Sequence, residues 1–357
     1  MITILTAGSI GTIVRITPRE VHICDSGIFN VIYAGSGQKL EKDPKHVIVL
    51  GAPESSFATV SHDRHRLRLG PINPFFSKRK VAQITPVIQS HVDQLVRRLE
   101  QDALDNKVTP LRRAFMAMTI DITDEYCYGT NKGYLLQEDY GLQWEAVIES
   151  IMFFGNLLRL FPLVQILILH APTWALRYMD PRIETLRHYQ GELQRRAEDL
   201  LAKQGQHSQT GRKEVQTIFH ALVESDLPPE ELTIQRLVDE GKTILAAGSE
   251  TVPAALSQTV YFLLEDKRRL RRVMAELDSV MPPGTATASL QQLEKLPYLV
   301  SEDWKRLSAK IFTIRSLDAS TKVFALCMAP LVAPHGSVQM RLSDIKIGSF
   351  HLAYVQI

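Results

Sequence analysis

Cysteine is scarce in this chain of 357 residues. There are three, Cys24, Cys127 and Cys327, an odd number with no close spacing between any two. That excludes a disulfide framework and a zinc finger as sources of stability, and the thiols are expected to be reduced in a cytosol-facing protein. Excess charge is missing too: the formal net charge is +2, which gives no reason to expect a nucleic-acid partner. The basic run KRRLRR at residues 267–272 is read as a solvated helix face. A secretory leader is not legible, because MITILTAGSIGTIVRITPRE lacks a basic start, a long apolar core and a cleavage site. No stretch reaches the roughly 20 apolar residues of a membrane-spanning helix. The most apolar segment, residues 151–172, carries Arg159 and Pro162 and reads as a buried or membrane-skimming helix pair. Internal repeats and low-complexity tracts are absent.

What is present is an ordinary soluble balance, 45% hydrophobic and 22% charged, over a length that suits one large domain or two smaller ones. The start alternates in the strand manner: IVRI, a turn at Thr17-Pro18, then REVHI. Asp25 or Ser26 can cap a helix presenting Phe29, Ile32 and Tyr33. From Lys80 onward helix dominates. Val81, Ile84, Ile88, Val92, Leu95 and Leu99 form one apolar stripe. Another helix is expected over 111–128, two apolar ones between 143 and 170, and a surface loop over 203–213. The longest helix is predicted over 233–265, with Gly248 and Pro253 near its centre; both disfavour helix, so a distortion is expected there. A further helix follows to Val280.

Three stretches stand in a telling order: HRLRLGPINPFFSK at 65–78, AAGSETVPAALSQTVYFLLED at 246–266, and LEKLPYL with RLS within 293–308. Together with the GTIVRITPREVHI hairpin and YAGSGQKLEKDP, they resemble the cytochrome P-450 family of haem-thiolate monooxygenases, of the fungal secondary-metabolism type. The resemblance covers residues 10–308 and, more weakly, 330–349. It implies a mainly α fold with a small N-terminal β region. In the family the long helix crosses the haem face where oxygen binds. The glycine matching Gly248 lets the backbone approach the ligand, and the acid and hydroxyl matching Glu250 and Thr251 relay protons, both expected to face inward. A hydroxyl suits that task because it both donates and accepts. Read alone, the same run is an ordinary helix with a polar face.

The stretch around His65 matches the helix whose basic residues meet a haem propionate. The usual Arg partner position is Leu69 here, and Arg68, one residue away, is turned about 100° around the helix. His65 and Arg68 stand as vestigial haem contacts, and His65 and Arg66 read equally well as surface residues. The family's buried Glu-x-x-Arg pair falls on Asp303 and Arg306, with the acid one methylene short; the alternative is a solvated helix surface. In relatives the haem iron is held by a cysteine in a glycine-rich loop. Cys327, in KVFALCMAPLV, has neither the glycines nor the adjacent Arg, and reads as a buried apolar residue. Residues 309–329 match nothing in the family.

The resulting expectation is a single incomplete cytochrome P-450 domain over 1–357, truncated at both ends, inactive as encoded and without bound haem, although intact relatives use haem. Relatives would take electrons from an NADPH-dependent reductase, hydroxylate small apolar metabolites such as terpenoids or polyketides, and be anchored to the endoplasmic reticulum. This chain, lacking a transmembrane anchor, would be cytoplasmic or loosely membrane-associated. Two alternatives stay open: a working variant with Cys327 as ligand, and a non-enzymatic helical protein that binds an apolar ligand or a partner.

Overall fold

The computed structural model describes residues 13–17, 20–23, 25, 27, 39–47, 51–148, 178, 183–202, 217–281 and 288–300. The expected helix at Phe29–Tyr33, most of the apolar pair before 170, the 203–213 loop, Asp303, Arg306, Cys327 and segments 309–329 and 330–349 lie outside them.

The chain enters through an antiparallel hairpin, β1 (Ile13–Thr17) and β2 (Glu20–Ile23), paired Ile13 to Ile23 and Arg15 to Val21 with a bulge before Thr17. Ile13 and Val21 remain exposed, so the hairpin does not bury a whole apolar face among the described residues. Helices follow: α1 (Pro44–Val47), α2 (His62–Leu69), α3 (Lys78–Gln83), α4 (Thr85–Leu104), α5 (Leu111–Tyr128), α6 (Ile183–Ala202), α7 (Ile218–Val223), α8 (Ile234–Glu265), α9 (Lys267–Val280) and α10 (Leu290–Leu293). The class is mainly α, as the sequence implied.

The stripe from Val81 to Leu99 is divided between two helices. Ile84 ends α3 and leads into α4, because Pro86 lacks an N–H and fits only the first turn of a helix. Ile88, Val92, Leu95 and Leu99 of α4 are buried against α5. Helix α5 is itself buried almost all round, from Leu111 to Cys127, and ends at Gly129, whose φ of 76° suits a glycine.

Helix α8, 32 residues and so about 48 Å long, is the axis of the molecule. The Thr233 hydroxyl caps it by accepting from the Arg236 N–H. Its most extensive helix contact is with α5, and two glycines make that contact close. A Cβ at Gly241 would stand 2.3 Å from the Tyr128 hydroxyl, and one at Gly248 would stand 2.8 Å from Thr123 Oγ1. These two positions are seven residues apart, so they share a face and set the distance between α5 and α8. The core gathers around this pair, with Tyr128 stacked on Phe219 of α7 and Trp144 edge-on to Tyr189 of α6.

Candidate functional site

The central segment Ala247-Gly248-Ser249-Glu250-Thr251 is helical throughout, as is Pro253 after it. Pro253 has no N–H to give the Ser249 carbonyl. Hydroxyls rebond to the backbone around it: Thr251 Oγ1 donates to Ala247 O at 2.9 Å and Ser257 Oγ to Pro253 O at 2.6 Å. The helix therefore continues through the region where a distortion was expected.

The five residues divide by face, because each step turns about 100°. Ser249 is buried; Ala247 and Thr251 are exposed on one side. A Cβ on Gly248 would point at Thr123 of α5, so its missing side chain serves helix packing. Glu250 is half-buried and accepts from Arg112 Nη2 with both oxygens, at 2.6 and 2.7 Å. The same guanidinium reaches Glu145 through Nη1 at 3.2 Å, and Arg113 Nε holds Glu145 from the other side at 2.7 Å. Glu250 and Thr251 were both expected to face inward. Thr251 instead looks out, because the glycine face of α8 is the one docked on α5.

Arg68 and His65 sit elsewhere and are committed elsewhere. Arg68 is 2% exposed; it donates to Glu231 Oε2 at 2.6 Å, Glu54 Oε2 at 2.9 Å, Glu54 O at 3.0 Å and Thr59 Oγ1 at 2.9 Å. Those bonds occupy most of the guanidinium, so Arg68 is a structural cation among the described residues. His65 Nδ1 lies 2.8 Å from Ser56 O and 3.4 Å from Lys42 Nζ. Leu69 is half-buried.

Sequence reasoning missed a buried polar cluster at the start of α8. Arg236, Asp239, Glu240 and Thr243 are all buried. Asp239 accepts from the Glu54 N–H at 3.0 Å; Glu240 accepts from the Ser56 N–H at 2.9 Å and from Ser56 Oγ at 2.6 Å. Loop 51–60 is thus tied to α8 by two carboxylates. Glu231 receives Arg64 at 2.7 Å as well as Arg68, and Arg236 Nε lies 3.4 Å from it. Burial alone would raise the Glu231 carboxyl; hydrogen bonds from Arg64 and Arg68 outweigh it and hold the group below the usual range. The signal was available: polar residues at 236, 239, 240 and 243 recur at the spacing normally held by core residues.

The Cytochrome P450 family pattern matches residues 18–301. The chain belongs to the cytochrome P450 family. It is 35% identical over 289 residues to the cytochrome P450 monooxygenase TRI4 of Trichoderma arundinaceum, covering 81% of this chain and 55% of that protein. It is 34% identical over 303 residues to the conidiogenone synthase PchP450 of Penicillium rubens, covering 84% and 60%. Among solved structures, the cytochrome P450DA heme domain aligns with a TM-score of 0.56 at 15% identity, over 75% of this chain and 55% of that one. That likeness speaks for the fold alone. The chain spans little more than half the length of the curated relatives named here.

The P450 family implies haem. The exposed side of α8 at Ala247 and Thr251 offers small side chains where a flat group could lie. Two of the described candidates, Arg68 and His65, are committed elsewhere as given above. Cys127, the one cysteine among the described residues, is buried in α5, and burial pushes its thiol up, away from a thiolate. The described residues that fit the group best are those of the open α8 face.

Proposed function

We propose that this chain carries the oxygen-side half of a haem-dependent monooxygenase of fungal secondary metabolism, acting on a small apolar metabolite such as a terpenoid or polyketide. What supports the reading is the α8 segment, which puts Thr251 on an open face beside Glu250, with Glu250 held by Arg112. A hydroxyl can hold a proton bound for that face once it releases Ala247 O, and the neighbouring carboxylate can replace it. In such a protein an NADPH-dependent reductase would be the electron partner. Attachment to the endoplasmic reticulum would come from residues other than those described, where no helix is long and apolar enough to cross a membrane.

The finer part of the proposal is that the 357 residues by themselves do not form the haem-thiolate centre and are inactive. Cys127 is buried and protonated, and neither Cys24 nor Cys327 stands in a glycine-rich loop. The purified chain, supplied with haem and reduced under carbon monoxide, is expected to give no thiolate-type Soret band. A thiolate-type band that disappears in Cys327→Ala would overturn this and establish Cys327 as the ligand.

A further inference from the structure

Between α5 and α6 lies a layer of charged side chains that the α8 site does not use. Asp124, on α5, is 2% exposed. Its Oδ2 faces Arg196 Nη1 of α6 across 3.7 Å, and neither atom has a hydrogen-bond partner among the described residues. The Arg196 guanidinium lies over the Tyr128 ring, 4.7 Å from its centroid. Four residues earlier on α6, Glu192 pairs with Lys132, whose ammonium sits 4.9 Å over the ring of Tyr189. The Tyr189 hydroxyl is buried without a hydrogen-bond partner among the described residues. Helix α6 therefore meets α5 through charges and rings. Against α8 it packs through Leu193, whose Cδ2 lies 3.2 Å from where a Cβ on Gly241 would be.

An ion pair 3.7 Å apart in a dry contact has Coulomb attraction without the hydrogen bonds that offset desolvation. A buried carboxylate in that position is relieved most simply by taking up a proton. We propose that Asp124 and Arg196 form a proton-operated latch: with Asp124 protonated α6 is firmly docked on α5, and with Asp124 ionised α6 opens more readily.

Asp124 and Glu192 differ in sign: burial alone would raise the Glu192 carboxyl, but Lys132 holds it below its ordinary range, so that pair weakens only under stronger acid. Burial pushes Asp124 up to about 6; Arg196 and Lys132 oppose the rise, while Asp121 and Glu192 add to it. Charged groups face the contact too: Glu192 pairs with Lys132, and His188 Nε2 lies 3.4 Å from Glu192 Oε1. Burial raises the Cys127 thiol and the phenols of Tyr128 and Tyr189. From α8, Glu240 acts on Tyr128 in the same direction. When α6 opens, Asp124 returns to the 3.8 of a solvated carboxylate. The docked state then binds the proton more tightly, so docking is strongest below pH 4 and weakens as pH rises to about 6. A difference of about two pH units corresponds to roughly a 100-fold change in the opening equilibrium.

Native-state amide exchange of α6 in the purified chain, corrected for intrinsic chemical rates, tests this between pH 4 and 7.5. The opening constant of α6 should rise about 100-fold across the range. In Asp124→Asn it should stay flat and low, and amides of α9, remote from the latch, should show no such dependence in either protein. Equal pH profiles for wild type and Asp124→Asn, or weaker α6 protection on acidification, overturn the proposal. Should Asp124→Asn fail to fold, the carboxyl carbon of Asp124 in the wild-type chain, titrated by NMR, decides. A midpoint near 6 supports the latch and a midpoint below 4.5 refutes it.

Discussion

The first ten residues of α8 and its middle belong to one helix yet are built on opposite terms. At the start, Arg236, Asp239 and Glu240 point into the protein, and loop 51–60, Arg64, Arg68 and Glu231 close around them. In the middle, Gly248 presses on α5 while Ala247 and Thr251 look out and Glu250 is held by one arginine. The beginning of the helix uses polar groups to fix its place. The middle keeps polar groups where a reaction could use them. Buried charge shared among several opposite charges holds the start in place, and half-exposed charge leaves chemistry accessible.

The sharpest way to break this contrast is at Glu231, which is 3% exposed between Arg64, Arg68 and Arg236. Glu231→Gln should lower unfolding stability by about 3–5 kcal/mol in a urea titration, since it strands buried cations. The pH sign is opposite to that at Asp124. With the folded carboxyl held below its ordinary value, the contribution is present above pH 4.5 and is lost as pH falls through the folded pKa. Unchanged stability on acidification to pH 3 would argue that the cluster is not paired in solution.

A smaller effect is expected where α8 touches α5. Gly241→Ala must displace the Tyr128 hydroxyl and crowd Leu193, for a loss of about 1–3 kcal/mol. Combining it with Tyr128→Phe should recover much of that. Gly248→Ala meets only the Thr123 hydroxyl, and its gain in helix propensity of about 1 kcal/mol should nearly cancel the crowding. Thermal unfolding of the three variants measures the difference. Equal losses at the two glycines would show that the centre of α8 is as tightly held as its start.

The smallest effect belongs to the half-exposed pair. Arg112→Gln and Glu250→Gln should each cost about 1 kcal/mol or less. A double-mutant cycle should give a coupling of a few tenths to 1 kcal/mol, weakened by salt. A coupling as large as that at Glu231 would mean that Arg112 and Glu250 belong to the scaffold rather than to accessible chemistry.

Much of this fold was legible before the structure. The apolar stripe of α4, the bounds of α5, the length of α8 and the ordered motifs at 65–78 and 246–266 all reflect local rules, helical spacing and residue choice, which a linear chain records. Three features were not legible. The split between α3 and α4 turned on Pro86 in a stripe that looked continuous. Arg68, expected with His65 as a haem contact, went to Glu231, 163 residues away. Thr251, one residue from Glu250, went to the open side of the helix.

By itself the sequence determined the helical class, the positions of the long helices and the membership of the P450 family, because periodicity, caps and motif order are properties of neighbours in the chain. Only the tertiary structure decided which face of α8 docks on α5, where Arg68, Arg112 and Arg196 place their charges, and that Gly248 serves packing. Those outcomes depend on how closely two helix backbones approach and which distant carboxylate lies within reach, and neither distance is written in local sequence.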